Sequence, residues 1–376
     1  MITNDACYIL KQIDLTNFRN YELIRFHPTQ GMNILFGTNG AGKTNLIEAI
    51  SLLIPGRGLR TAPRADFFRH TDKPSEQWAV VAQVDDAQQI VKIGTGASHE
   101  GRREVLVNGE KSKQSDLSRF FNCVWLTPNQ DRLFIDGASS RRRFLDRLVF
   151  GMDAAHAGRL SSYEKSMRER AKLLTMANID NAWLDAIEEN MVSRGIAIAA
   201  ARQDVVQHLS HYTKERHGLF PQATLSLKGD VDDWLEQYTA IDVEDRYREA
   251  LYSYRQKDAN AAMTHIGPHR SDMVVTHFDK NMPASLCSTG EQKALLISII
   301  LANSRMQGAE RGIKPVLLLD EITAHLDPMR RQSLFDELEA LKVQVFMTGT
   351  ERELFAEVQH RAAIWEISAA QIYEQK

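Results

Sequence analysis

Gly37-Thr38-Asn39-Gly40-Ala41-Gly42-Lys43-Thr44 fits the pattern G-x-x-x-x-G-K-[ST] at every fixed position. Its flanks give it a structural setting. Met32-Asn33-Ile34-Leu35-Phe36 reads as a short buried strand, and Asn45-Leu46-Ile47-Glu48-Ala49-Ile50 opens a helix. Glycines let the backbone curl until its N–H groups surround phosphate oxygens. The helix start adds about half a positive charge aimed at the same anion. Lys43 is placed to bridge the β- and γ-phosphates, and the Thr44 hydroxyl to ligate Mg²⁺. An α/β fold with a nucleotide site on Gly37–Thr44 is the expectation.

A second stretch supplies the acidic half of such a site. Val316-Leu317-Leu318-Leu319-Asp320-Glu321 is four apolar residues followed by two carboxylates, the pattern of a fully buried parallel strand. In open α/β sheets ligands bind beyond the carboxyl ends of such strands. Asp320 there can hold Mg²⁺ through water, and Glu321 can polarise an attacking water as general base. Further along, Ser288 precedes a long apolar helix and Glu291 stands three residues on, which forms a capping box. A helix start with a small hydroxyl and Gly290 can also touch a γ-phosphate.

The rest of the chain frames these motifs. Residues 7–15 and 21–36 read as strands leading into the loop, joined by the polar turn Asn17-Phe18-Arg19-Asn20. Gln77–Val84, Gln89–Thr95 and Arg103–Val107 alternate apolar and polar residues as an antiparallel meander. Ser115–Phe121 reads as a short helix and Cys123–Leu126 as a strand. From Arg141 to about His217 the pattern is helical, with Trp183–Ala201 as a second long helix. Thr224–Leu227 reads as an isolated strand and Asp232–Tyr254 as a further helix. Strand signals resume at Met273–His277. The expected division is a discontinuous α/β domain, residues 1–149 plus 264–376, split by a helical insertion at 150–263.

Bulk properties set limits. Of 376 residues 43% are hydrophobic and 25% charged, and the net charge is −3, so no global field favours nucleic acid and any DNA site is a local patch. Basic clusters exist at Arg57, Arg60, Arg64 and Arg69, and at Arg141, Arg142, Arg143 and Arg147. Each reads either as a phosphate-neutralising face or as a solvated or internally paired one. Cys7, Cys123 and Cys287 are isolated, which suggests neither a zinc site nor a disulfide framework and fits a reducing cytoplasm. Met1–Asp5 lacks a basic-then-apolar signal, and no apolar run is long enough to span a bilayer; a cytoplasmic protein is expected.

The order of these motifs resembles the ABC-type ATPases and, among them, the RecF family of DNA-repair proteins. Leu15–Tyr21, Gly37–Thr44 with Glu48-Ala49-Ile50, and Gly56–Thr61 carry the likeness. Arg141-Arg142-Arg143-Phe144-Leu145-Asp146 and Gly267-Pro268-His269-Arg270 make it specific to RecF. Ser288-Thr289-Gly290-Glu291-Gln292 resembles the ABC signature, Asp320-Glu321 Walker B, Ala324–Asp327 the D-loop, and Gln344–Thr348 the strand leading to the switch position. Two departures stand out. Thr348 occupies the place of the transporter histidine; it can orient a water or a γ-phosphate but cannot titrate near neutrality. Thr127-Pro128-Asn129-Gln130 stands where a Pro-Glu pair is frequent, which leaves the Q-loop residue open.

The resemblance implies an ABC-type ATPase head, with a mixed sheet around the phosphate loop plus an antiparallel meander, carrying a helical arm. It implies ATP and Mg²⁺ as cofactors. Gly37–Thr44, Ser288, Gly290, Asp327 and Thr348 would contact nucleotide, Thr44 and Asp320 the metal, and Lys43, Asp320 and Glu321 would serve hydrolysis. Ser288 and Gly290 would complete the site of a second copy in an ATP-dependent homodimer. DNA, contacted by Arg57, Arg60, Arg64 and Arg69, and the proteins RecO and RecR are the implied partners, with weak DNA-stimulated turnover near the nucleoid. A transporter ATPase, an SMC protein with its long coiled coil, an ATPase–nuclease, and a scaffold on which ATP is only a switch are the alternatives.

Overall fold

The computed structural model describes residues 6–69, 76–98, 101–176, 180–215, 218–324 and 326–375. It divides into two compact units: Met1–Arg132 with Tyr212–Gln222 and Ser288–Lys376, and Leu133–His211 with Ala223–Cys287. These bounds differ from the expected 150–263. Helix Ala138–Met152 and strand Asp272–His277 belong to the second unit, where Arg141 of the helix grips Asp272 of the strand through two nitrogens at 2.7 and 2.8 Å.

The first unit holds two six-stranded sheets. One is antiparallel, in the order Tyr21–Phe26, Ile9–Phe18, Gln77–Asp85, Ile90–Ser98, Glu104–Val107, Glu110–Ser112. The expected meander is present. Its alternation decides which face is buried: Trp78, Val80, Ala82 and Val84 are at most 1% exposed. The segment read as one strand over 21–36 is two, because His27–Gly31, with Pro28, leaves the ladder. The second sheet runs Gln371–Gln375, Ala362–Ser368, Met32–Phe36, Val345–Gly349, Val316–Leu319, Cys123–Leu126, all parallel except the first-named strand. Register matters here. Leu319 pairs with Met347, and Gly349 with Phe36, so Gly37, Asp320 and Thr348 emerge at one edge of the sheet. Helix Lys43–Ser51 buries Leu46, Ile47, Ala49 and Ile50 completely in a core shared with residues of both sheets. Gln344 joins the sheets by accepting from the Leu10 N–H (2.7 Å) and donating to its carbonyl (3.0 Å).

The second unit is mainly helical. Helix Asn181–Tyr212 outruns the expected Trp183–Ala201 at both ends. Asp232–Tyr254 is two helices, Asp230–Gln237 and Ala240–Ser253, because Thr239 turns extended (ψ 158) and caps the second by accepting from the Asp242 N–H. Ala223–Lys228 is not isolated: it pairs antiparallel with Asp272–His277. The interior is crossed by ion pairs. Arg170, fully buried, donates to Glu188 (2.7 Å), Asp258 (2.6 Å), Thr264 (3.2 Å) and the Leu251 carbonyl (2.8 Å). Each of the three nitrogens has a partner, so the cost of burying this charge is offset.

The Gly267–Arg270 motif belongs to this interior. A Cβ on Gly267 (φ 135°) would lie 2.3 Å from the Tyr163 hydroxyl and 2.4 Å from that of Tyr247. His269 Nε2 faces the Thr264 carbonyl (2.8 Å), so it carries the hydrogen, and Nδ1 accepts from Tyr163 (2.8 Å), which accepts from Tyr247 (2.9 Å). Burial, reinforced by Arg270 and Arg142, lowers the His269 pKa from 6.5 to about 4. The folded state thus refuses a proton that the unfolded chain takes up, and stability falls as pH drops from 6.5 toward 4, by about 3 kcal/mol in all. Chemical unfolding across that window should show this slope. His269→Gln, which keeps a donor and an acceptor, should flatten it; an unchanged slope would assign the effect to other groups.

Candidate nucleotide-binding site

The phosphate loop is shaped by what lies beneath it. Gly37 (φ 152°) approaches so closely that a Cβ would sit 2.2 Å from the Ile367 carbonyl, and at Gly42 (φ 120°) a Cβ would meet Asn20 and the Tyr21 hydroxyl within 2.8 Å. Asn20 donates to the Ala41 carbonyl and Tyr21 to that of Gly42, both at 3.0 Å. The polar turn before Tyr21 is therefore a support for the loop. Lys43, buried, donates to the Gly37 (2.6 Å) and Thr38 (3.0 Å) carbonyls. Burial lowers its pKa, opposed by Glu321 and Asp320. Thr38, Asn39, Gly40 and Ala41 form the turn itself, closed by Ala41 N–H to the Thr38 carbonyl at 3.2 Å.

Asp320 and Glu321 stand directly after the strand Val316–Leu319. Asp320 Oδ1 accepts from the hydroxyls of Thr44 (3.1 Å) and Thr348 (2.6 Å). Burial raises the Asp320 pKa, and those two hydroxyls work against the rise. Glu321 sits in the left-handed region (φ 49°), and its N–H donates to Thr348 Oγ1 at 2.9 Å. Thr348 is fully buried; one hydroxyl thus orients both carboxylate residues. The pocket in front is lined by Thr44, Leu59, Arg60, Thr127, Pro128, Asn129, Asp320 and Glu321. Thr44 and Asp320 are oxygen donors already within hydrogen-bond reach of each other, which suits a hard cation such as Mg²⁺. No cluster of three His, Cys, Asp or Glu residues exists among the described residues; a cation here would draw its other ligands from phosphate and water.

Three features escaped the sequence reading. Glu48, fully buried, is held by Arg19 through two bonds of 2.9 Å. Arg60, expected on DNA, lines the pocket and donates to Asn45 (2.8 Å) and Glu48 (3.4 Å). Arg103, lowered to about 10 by burial, ties the loop after the first helix by donating to the Gly56 carbonyl (2.6 Å) and to Thr95 (2.8 Å). A carboxylate inside the otherwise apolar run Leu46–Ile50 was the available signal for the first. Of the other arginines expected on DNA, Arg57 is exposed, Arg64 donates to the Gly101 carbonyl, and Arg69 pairs with Glu22 at 2.9 Å. In the second unit Arg141 and Arg142 are spent on Asp272 and the Ser271 carbonyl, and Arg147 is buried. For Arg141 and Arg142 the geometry favours the internally paired reading; Arg143 is exposed.

Ser288 caps helix Thr289–Arg311 in the expected capping box, its N–H donating to Glu291 at 3.0 Å. Ser288 is exposed. Among the described residues a Cβ on Gly290 would find only Arg330 Nη1, at 3.9 Å, which leaves this helix start open to them. Asp327 caps helix Pro328–Leu341 by accepting from the Arg330 N–H at 2.9 Å. His325 lies outside the described residues. Neither Ser288, Gly290 nor Asp327 lines the pocket above. Gln130 Oε1 accepts from the Thr127 N–H at 3.0 Å, whereas Asn129 faces the pocket.

Comparison with known proteins fits this geometry. The family model described as RecF/RecN/SMC N terminal domain matches residues 9–371. A DNA replication and repair protein RecF of Mesorhizobium japonicum is 48% identical over 359 residues, covering 94% of each chain. One of Rhizobium leguminosarum bv. trifolii is 44% identical over 373 residues, covering 97% of this chain and 98% of that one. Among solved structures, the recombination mediator protein RecF-ATPrS in the RecFOR pathway superposes with a TM-score of 0.86 at 24% identity, over 99% of both chains. The Smc head domain of Pyrococcus furiosus follows at 0.56 and 14%, over 98% of this chain and 96% of that one. No helix among the described residues is long and apolar enough to cross a membrane. The chain belongs to the RecF/RecN/SMC family and, within it, to the RecF proteins of DNA replication and repair, with the fold of an ABC-type ATPase head.

Proposed function

We propose that this protein is an ATP-dependent DNA clamp of recombinational repair and replication-fork maintenance. ATP is held on Gly37–Thr44, and two copies close around two nucleotides. Each copy would lend Ser288, Gly290 and Asp327 to the other's site. Slow, DNA-stimulated hydrolysis then releases duplex DNA held at single-strand gaps. One observation carries the reading: at the mouth of the phosphate loop Thr44 and Thr348 both donate to Asp320, and Thr348 also accepts the Glu321 N–H. Thr44 and Asp320 would hold Mg²⁺, which when bound offsets charge on the phosphoryl group. Lys43 supplies a point charge to the β- and γ-phosphates. Glu321 orients and deprotonates water, and Thr348 holds both carboxylate residues rather than the nucleotide. Assembly with RecO and RecR follows from membership of the family and from the pathway named for its structural relative.

Sedimentation with a non-hydrolysable ATP analogue tests the clamp, read beside binding to duplex, single-stranded and gapped DNA. A dimer that forms only with nucleotide, and DNA affinity that falls steeply with salt, are the expected results. A monomer at saturating nucleotide would remove the clamp. Flat salt dependence would remove electrostatic DNA binding, and absent turnover with DNA would leave ATP as a switch alone.

A further inference from the structure

Lys293 lies within the helix that Ser288 caps, five residues past the cap, and is almost fully buried at 4% exposure. Its side chain is 5% exposed. It donates to the Ala324 carbonyl at 2.7 Å, stands 3.5 Å from the Glu321 carbonyl, and lies 3.7 Å from Asp131. Ala324 in turn donates its N–H to the Glu321 carbonyl at 3.1 Å. Lys293 therefore fastens the turn that Glu321 opens. A non-glycine residue held at positive φ needs such fastening, since that conformation is intrinsically unfavourable. The other fastening is Thr348, which takes the Glu321 N–H. A buried lysine is an expensive way to close a turn. Its pKa is lowered by burial and restored in part by Asp131 and Glu321.

We propose that Lys293 is a positioning residue for hydrolysis: it ties the backbone of Glu321 to the helix whose open start is offered to a second nucleotide. Movement of that helix then reaches the carboxylate through one side chain. The inference rests on the reading of Glu321 as the base.

Lys293→Met keeps the length of the chain and removes the ammonium. The full-length protein is assayed by single-turnover hydrolysis of labelled ATP and by binding of a fluorescent ATP analogue. The expected result is a fall of about tenfold in the hydrolysis rate, at the low end of what positioning errors cause, with nucleotide affinity within about twofold. In a Glu321→Gln background the same substitution should change nothing further, because it acts through the group already removed. An unchanged rate, an equal loss of binding and turnover, or an additional tenfold loss in the Glu321→Gln background would overturn the proposal. Native turnover by Glu321→Gln alone would instead overturn the base. Should Lys293→Met not fold, Lys293→Gln is read by the same criteria.

Discussion

Glu321→Gln is expected to lower ATP turnover by about 10²–10³-fold while nucleotide binding persists, the range for losing a positioned general base. The substitution is nearly isosteric, so the left-handed backbone at Glu321 and its N–H bond to Thr348 should survive. Thr44 and Asp320 remain able to hold the cation, because Asp320 keeps both its hydroxyl donors. Lys43 stays on the loop. Binding and hydrolysis therefore separate, and a nucleotide-bound dimer should accumulate with ATP itself, not only with an inert analogue. Sedimentation in ATP and Mg²⁺ reads this directly. Asp320→Asn is the contrast: it disturbs the residue on which Thr44 and Thr348 converge, and should weaken nucleotide binding as well as turnover. If Glu321→Gln hydrolyses ATP at the native rate, the proton goes elsewhere and Glu321 is not the base.

How much of this was legible beforehand follows from the kind of interaction involved. The phosphate loop and the buried strand before Asp320 are contiguous in sequence, and their local patterns decide them. The antiparallel meander was visible because one face is buried and one exposed, so Trp78, Val80, Ala82 and Val84 alternate with less buried residues. The long-range pairings were not legible. Thr224–Leu227 looked isolated because its partner lies some fifty residues on, at Asp272–His277. The Arg141–Arg143 cluster looked like a candidate for phosphate because three cations stand together; the carboxylate that Arg141 grips, Asp272, is distant along the chain. Glu48 announced a buried partner without naming Arg19. Thr348 was placed by resemblance at the nucleotide; that its hydroxyl also joins Asp320 to the Glu321 backbone was not legible. In each case the sequence states a need, for a donor, a counter-charge or an edge partner, and only topology says which residue meets it.

Ser288→Arg should abolish nucleotide-driven dimerisation, weakening the dimer by 100-fold or more, roughly 3 kcal/mol, while each monomer still binds ATP. The helix start at Ser288–Gly290 is exposed and its Gly290 face is open to within 3.9 Å of Arg330. An arginine there fills that approach with bulk. It also removes a cap, at roughly 1 kcal/mol, and sets a cation against the positive end of the helix dipole, so some loss of thermal stability is expected in the monomer. A second substitution separates that loss from dimerisation. Ser288→Asp keeps a good capping side chain and suits the helix dipole, yet it points a carboxylate at an incoming phosphate. Monomer stability should then be native or slightly higher, with the dimer lost as completely as in Ser288→Arg. Because Gly37–Thr44, Asp320 and Glu321 take no part of their geometry from Ser288, ATP affinity of the monomer should stay within about twofold in both variants. Analytical ultracentrifugation with a non-hydrolysable analogue decides the matter. A dimer persisting in Ser288→Asp would mean that the phosphate loop is completed within one chain, and the two-copy site would have to be abandoned.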